Sequence, residues 1–148
     1  KGYEDAGFVF YTNLGSPKAR ALRHTPRAAL TIYWESVRRQ VRARGDVESV
    51  TDEEAEAYFA QRPRGSQIGA WASEQSAPAG SREELDRRFR EARERFGDTE
   101  QVPRPPFWSG FRIRPLSVEF WQEGPDRMHD RFRYERRDDG WEVMRLFP

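Results

Sequence analysis

The chain contains no cysteine, which excludes disulfides, thiolate metal sites and cysteine nucleophiles. Histidine occurs only at His24 and His129, too few for a histidine-rich metal site, and no metal is expected. Lysine is equally scarce. Lys1 and Lys18 stand among 26 basic residues that are otherwise arginine, so a single arginine carries little information. No apolar run approaches the roughly 20 residues that span a bilayer, and no secretory signal is visible. A P-loop, a GxGxxG fingerprint and a GxSxG elbow are all absent. Acidic residues abound, but no spacing marks a carboxylate pair for acid–base work.

What is present suits one domain of 148 residues with one core. Hydrophobic residues make up 36% and aromatics 14%, and five Trp and ten Phe can fill a compact interior. A mean hydropathy of -1.01 reflects the 34% of charged residues that must be solvated surface. Net charge is only +1, because 26 basic residues nearly cancel 25 acidic ones, which argues against general nucleic-acid binding. The arginine-rich stretch 82–95 is no exception, since Glu83, Glu84, Asp86, Glu91 and Glu94 offset its charge. Because the chain starts at Lys1 without Met and runs straight towards a strand-like segment, it is read as residues 1–148 of a single domain whose N-terminal segment is missing.

Aromatic and β-branched residues predict a strand at 7–12 (GFVFYT). Ser16 then reads as an N-cap with Pro17 at the first helical position, opening a short helix to about His24. Residues 27–34 (RAALTIYW) read as a largely buried strand, and 37–47 as an alternating one, with Glu35-Ser36 as the hairpin between them. Thr51-Asp52-Glu53-Glu54 and Ser81-Arg82-Glu83-Glu84 read as capping boxes. The first opens a helix that stops near Pro63. The second opens a helix with Leu85, Phe89, Ala92 and Phe96 at helical spacing and Gly97 at its end. Another short helix is expected at 66–71, a polar loop at 73–80, and a rigid linker through Pro103, Pro105 and Pro106. Strands follow at 110–114, 118–122, 131–136 and 141–146, with Asp138-Asp139-Gly140 as a hairpin turn. About seven strands and four helices imply a mainly β, α+β chain built as an antiparallel barrel with helical insertions.

Tyr58 and Arg62 lie four apart, on one helix face, with Pro63 as the break and Ser66 able to cap the next helix. A Tyr hydroxyl, an Arg fork and a Ser beside free backbone N–H groups suit a phosphate; a helix-break-helix corner with a solvated arginine fits the same spacing. Arg127 and His129 alternate after a Gly124-Pro125 turn, so in an extended segment both point to one side and can hold an anionic or electron-rich ring. A turn with solvated charges fits equally. Gln40 in a strand and Gln75-Ser76 in the polar loop offer amides that both donate and accept, which suits a heterocycle edge, or they are ordinary polar surface. Lys18, near Tyr11-Thr12, suits a phosphate or is a solvated charge.

Taken together, these segments resemble the pyridoxamine/pyridoxine 5'-phosphate oxidase family. The stretches are FVFYTNLGS, RRQV at 38–41, YFAQRPRGSQIGAWAS at 58–73, EQS at 74–76, VPRPPFWSGFRI at 102–113, EFWQ at 119–122, RMHDRFRY at 127–134 and the terminal RLFP. They cover essentially the whole chain in family order. RPxxSQIGA and RxHDR are specific, whereas the helix at 81–96 is not. The resemblance implies an antiparallel split β-barrel of about six to seven strands with peripheral helices, dimerising with FMN between subunits. It implies oxidation of pyridoxamine or pyridoxine 5'-phosphate to pyridoxal 5'-phosphate, with O₂ as acceptor and hydrogen peroxide released, in the cytoplasm and without nucleic-acid or membrane partners.

The same resemblance assigns Lys1, Tyr58, Arg62 and Ser66 to the substrate phosphate, and Arg127 and His129 to the substrate ring and reacting carbon. It assigns Tyr11, Thr12, Lys18, Gln40, Gln75, Ser76, Trp121 and Arg131 to FMN. Pro17 stands where the family has arginine, so one cationic contact to the FMN phosphate is lost. The strand before Lys1, which supplies further FMN contacts in the family, is absent from this sequence. Two alternatives stay open: a related flavin oxidase acting on another ring such as a phenazine precursor, and a non-catalytic flavin-binding split-barrel protein. Retention of RPxxSQIGA disfavours the first, and Arg127 with His129 disfavours the second.

Overall fold

The computed structural model describes residues 2–4, 7–97 and 99–148. Seven strands and four α-helices appear in the order β1 (Gly2–Glu4), β2 (Gly7–Asn13), α1 (Pro17–His24), β3 (Arg27–Trp34), β4 (Arg39–Ser49), α2 (Asp52–Ala60), α3 (Arg64–Ala72), α4 (Arg82–Phe96), β5 (Trp108–Gln122), β6 (Asp130–Arg137) and β7 (Gly140–Arg145). Hydrogen-bonded neighbours run β1-β2-β5-β4-β3, with β6 paired to both β5 and β7. The chain divides into two compact units, one built from 9–25 and 49–111, the other from 2–8, 26–48 and 112–148.

The helical unit is set by its caps. Ser16 accepts from the Ala19 N–H, and Pro17 supplies a pre-bent φ at the first turn of α1. Thr51 and Glu54 form a reciprocal capping box at α2. At α4 the box is only half made. Ser81 accepts from the Glu84 N–H, but the Glu84 carboxylate turns to the Gly80 N–H at 2.9 Å. The core of this unit joins Phe59, Ile68, Ala92, Phe96, Val102 and Trp108, with Tyr11, Tyr58 and Trp71 packed on it. Of the apolar face expected on α4, only Ala92 and Phe96 are buried, while Leu85 and Phe89 stay exposed.

The second unit is a run of antiparallel pairs. β3 meets β4 from Arg27↔Asp46 to Trp34↔Arg39, β5 meets β6 from Ser117↔Glu135 to Gln122↔Asp130, and β6 meets β7 from Phe132↔Arg145 to Arg137↔Gly140. The last register leaves Asp138-Asp139 as a two-residue turn, and Gly140 takes the positive φ of 144°. Two expectations fail here. The strands at 110–114 and 118–122 are one strand of 15 residues passing through Pro115. Gly45 makes room beside that proline, since a Cβ there would collide with the Arg114 carbonyl. Residues 27–34 form a strand as expected but are not buried, with Ile32, Tyr33 and Trp34 exposed at 38%, 52% and 46%. Apolar composition identifies a strand; it does not supply the layer that covers it, and the described residues leave this face open.

Phe59 is 1% exposed and contacts Trp108 edge-on at 5.0 Å. Phe59→Ala should therefore destabilise the protein by about 3–5 kcal/mol, read as a lower urea midpoint at unchanged slope.

Candidate functional site

In the helical unit three rings lie parallel. Tyr11 on β2 stacks on Tyr58 of α2 at 3.9 Å and 2°, and on Trp108 at 5.2 Å and 5°. Arg62, just past the end of α2, lays its guanidinium 4.9 Å over Trp108 and 5.6 Å over Phe59. Its Nη1 is buried and has no hydrogen-bond partner among the described residues. Burial pushes the Arg62 pKa below its ordinary value, opposed by the nearby Tyr58. Arginine stays protonated under such a shift, so the group is a partly desolvated cation with an unused donor. Such a donor is costly to leave unpaired and fits an anion.

Ser66 departs from its expected role as a cap. α3 starts at Arg64 with Pro63 at the N-cap and no side-chain cap bond, so Ser66 lies inside the first turn, its N–H bonded to the Pro63 carbonyl. Proline sets an extended φ/ψ of -53° and 138° there, and the helix starts two residues earlier than expected. Lys1 lies outside the described residues.

Thr12 and Gln75 meet across 63 positions of sequence. The buried Thr12 hydroxyl donates to Gln75 Oε1 at 2.7 Å, and the Asn13 N–H donates to the same oxygen at 2.9 Å. With the oxygen so occupied, the Gln75 amide offers its Nε2 donors outward. Gln75 and Ser76, the latter at a left-handed φ of 68°, line a cavity of about 610 Å³ together with Pro17, Arg20 and Phe107. Lys18 is exposed in the first turn of α1, its Nζ 5.7 Å above the Phe10 ring.

The other unit gathers Trp121, His129 and Arg131. Trp121 and Arg131 are register partners on β5 and β6, and the His129 ring lies 4.7 Å from the Trp121 ring. Gln40 stands on β4 opposite Tyr33. Arg127 and His129 are not on an extended segment. Pro125–Arg127 is a 3-10 turn in which Asp126 and Arg127 take left-handed φ values of 53° and 65°. The Gly124-Pro125 step, read as a simple turn before a strand, continues for a further helical turn, which removes the alternation that put both side chains on one side.

Three residues that the sequence reading gave no role support these side chains, each within its own unit. Trp108 supports Tyr11 and Arg62, and Gly124 donates its N–H to His129 Nδ1 at 3.2 Å. Glu119, 5% exposed, accepts from Arg42 Nη2 at 2.7 Å and Arg131 Nε at 2.9 Å, with Arg133 at 3.8 Å. Arg131 also donates to the Phe147 carbonyl at 2.8 Å, which fastens the C-terminal segment to β6. A lone carboxylate alternating with Phe120 and Trp121 on a strand was the available signal for Glu119.

Burial works to raise the Glu119 carboxyl, but the hydrogen bonds and charges of Arg42 and Arg131 outweigh it and hold the pKa below its ordinary value. A depressed carboxyl stabilises the fold fully above the ordinary glutamate value of about 4.3 and loses that contribution as pH falls through the folded value. Melting temperatures between neutral and acid pH should thus fall more steeply for the unaltered chain than for Glu119→Gln. Parallel curves would contradict the assignment.

Residues 1–96 match the family described as pyridoxamine 5'-phosphate oxidase, and residues 108–148 match the pyridoxine 5'-phosphate oxidase C-terminal dimerisation region. The pyridoxine/pyridoxamine 5'-phosphate oxidase of Rubrobacter xylanophilus is 54% identical over 148 residues, covering 100% of this chain and 68% of its own length. That of Rhizobium meliloti is 55% identical over 152 residues, covering 100% and 72%. Among solved structures, PhzG from Burkholderia lata in complex with tetrahydrophenazine-1-carboxylic acid aligns over 100% of this chain and 72% of its own, with TM-score 0.91 and 30% identity. A pyridoxamine 5'-phosphate oxidase-related FMN binding protein from Nostoc punctiforme covers 100% of this chain and 76% of its own, with TM-score 0.74 and 16% identity, a likeness of fold alone. Two family matches running nearly end to end, on the mainly β split-barrel fold class expected from the sequence, establish that the chain belongs to the pyridoxamine 5'-phosphate oxidase family.

Proposed function

We propose that the chain oxidises pyridoxamine 5'-phosphate and pyridoxine 5'-phosphate to pyridoxal 5'-phosphate, using FMN and O₂ and releasing hydrogen peroxide, with ammonia as a further product and water consumed for the amine. The observation that carries this reading is Arg62, a guanidinium beside Tyr58 with a buried, unpartnered Nη1. A phosphate monoester is the anion such a fork suits. Tyr58, Arg62 and Ser66, with Lys1, are assigned to it.

FMN brings a phosphate dianion and a ring edge of carbonyls and N–H groups, and the donors of this chain fit both. Lys18 supplies a cation, while Gln75, its oxygen held by the Thr12 hydroxyl and the Asn13 N–H, presents its amide N–H groups beside Ser76, with Thr12 assigned to the same cofactor set. Tyr11, Gln40, Trp121 and Arg131 complete the proposed cofactor set. Pro17 fits the helix start, so the α1 fold survives the missing arginine while one cationic contact is given up. When bound, FMN would supply the two-electron redox chemistry between the substrate and O₂. Arg127 and His129 are assigned to the substrate ring and the reacting carbon, where they bind and orient.

The working unit in this proposal is a homodimer with FMN contacted by both subunits. The dimerisation-region match and the exposed apolar face of Ile32, Trp34, Phe120 and Trp141 support it. A cytoplasmic location and a single FMN-binding domain over 1–148 belong to the same reading; no described helix is long and apolar enough to cross a membrane. The likeness to PhzG supports a second reading, oxidation of another ring substrate. The Arg62 grip separates the two.

In air, FMN-loaded protein given pyridoxamine 5'-phosphate should form pyridoxal 5'-phosphate, followed by absorbance, and the rate should vanish without FMN. Arg62→Ala should raise KM for the phosphorylated substrate by about 10–100-fold with a smaller fall in kcat. An unchanged KM would remove Arg62 from the phosphate.

A further inference from the structure

The segment from Gly124 to His129 is a closed clasp. The Met128 N–H bonds to the Pro125 carbonyl and the His129 N–H to the Arg127 carbonyl, each at 2.9 Å. Two successive non-glycine residues, Asp126 and Arg127, sit in the left-handed region, a conformation that costs roughly 1 kcal/mol or more for each. That strained path folds the chain back until the Gly124 N–H reaches His129 Nδ1 at 3.2 Å, with the ring against Trp121. Gly124 is required at this point, because a Cβ would collide with the Met128 carbonyl oxygen.

A backbone N–H only donates, so Nδ1 must present its lone pair. A neutral imidazole carries one proton, which then sits on Nε2. We infer that the Gly124 N–H locks His129 in the Nε2–H form, so that neutral His129 meets its partner as a hydrogen-bond donor and not as a base, with Gly124 as its positioning residue. The partner is an oxygen or nitrogen lone pair on the bound ring, an identification that rests on the proposed function. The tautomer itself does not depend on that reading. Neutral His129 is thereby excluded from taking up a substrate proton through Nε2.

Two histidines make the test direct. Long-range ¹H–¹⁵N spectra of uniformly labelled, FMN-loaded protein at alkaline pH, assigned with His24→Gln, should show His129 with Nε2 protonated and Nδ1 bare. Protonated Nδ1, or two nitrogens averaged by exchange, would overturn the lock. Gly124→Ala should bring on that averaging. In turnover, His129→Gln keeps an N–H near the Nε2 position and should stay within about tenfold of the unaltered kcat, while His129→Leu falls by about 100-fold. If the acceptor-only His129→Glu outperforms His129→Gln, the donor role is wrong. An Nε2–H spectrum in a protein with no oxidase turnover would sink the functional reading and leave the lock standing.

Discussion

A guanidinium laid on an aromatic ring, with one nitrogen buried and unpaired, is the constraint around which the helical unit is organised. Trp108 belongs to the core with Phe59, Ile68 and Phe96, and it is also the surface on which Arg62 rests. Desolvating a cation costs several kcal/mol unless it is paired, and the ring face returns about 1–2 kcal/mol at a partly desolvated site. The guanidinium lies 4.9 Å from the Trp108 ring and 5.6 Å from Phe59, and Tyr11 and Tyr58 lie parallel to the same Trp108 ring. In the proposed function, core packing and anion recognition share these contacts, so a substitution in that stack is expected to alter both.

The other unit solves a different problem, that of fixing arginines on open strands. Glu119 does this as a buried carboxylate shared between Arg42 and Arg131. Arg131 is tied in turn to the last residues of the chain through the Phe147 carbonyl, and the Leu146 N–H returns to the Arg131 carbonyl. Side chains with three or four rotatable bonds are thereby held without a covering layer. The apolar residues left bare on β3, β5 and β7 are consistent with a second copy of the chain as that layer, as the dimerisation-region match indicates.

Local structure was legible where it depends on local chemistry. Ser16-Pro17, Thr51 with Glu54, Ser81 and Asp138-Asp139 mark helix starts and a turn through hydrogen bonds within a few residues, and all four are found. What escaped depends on distant partners. β5 runs through Pro115 because Gly45 admits it, and β3 is exposed because nothing described covers it. Arg127 turns left-handed to close a clasp that no periodicity announces. For the site, spacing alone left Tyr58 with Arg62, and Gln75 with Ser76, undecided between surface and function. The family resemblance assigned them roles, and the structure supplies what it could not, the bond of Thr12 to Gln75 and the supporting Trp108, Glu119 and Gly124.

The central claim is that the unpartnered Arg62 donor exists for a phosphate. Calorimetric titration of the FMN-loaded protein with 4-deoxypyridoxine 5'-phosphate and with 4-deoxypyridoxine, which carry no aldehyde to close on the 5'-hydroxyl, compares ligands that differ only in that group. The account predicts that the phosphate ester binds at least about 100-fold more tightly, the equivalent of two charge-assisted hydrogen bonds. Equal affinities for the two ligands would contradict it.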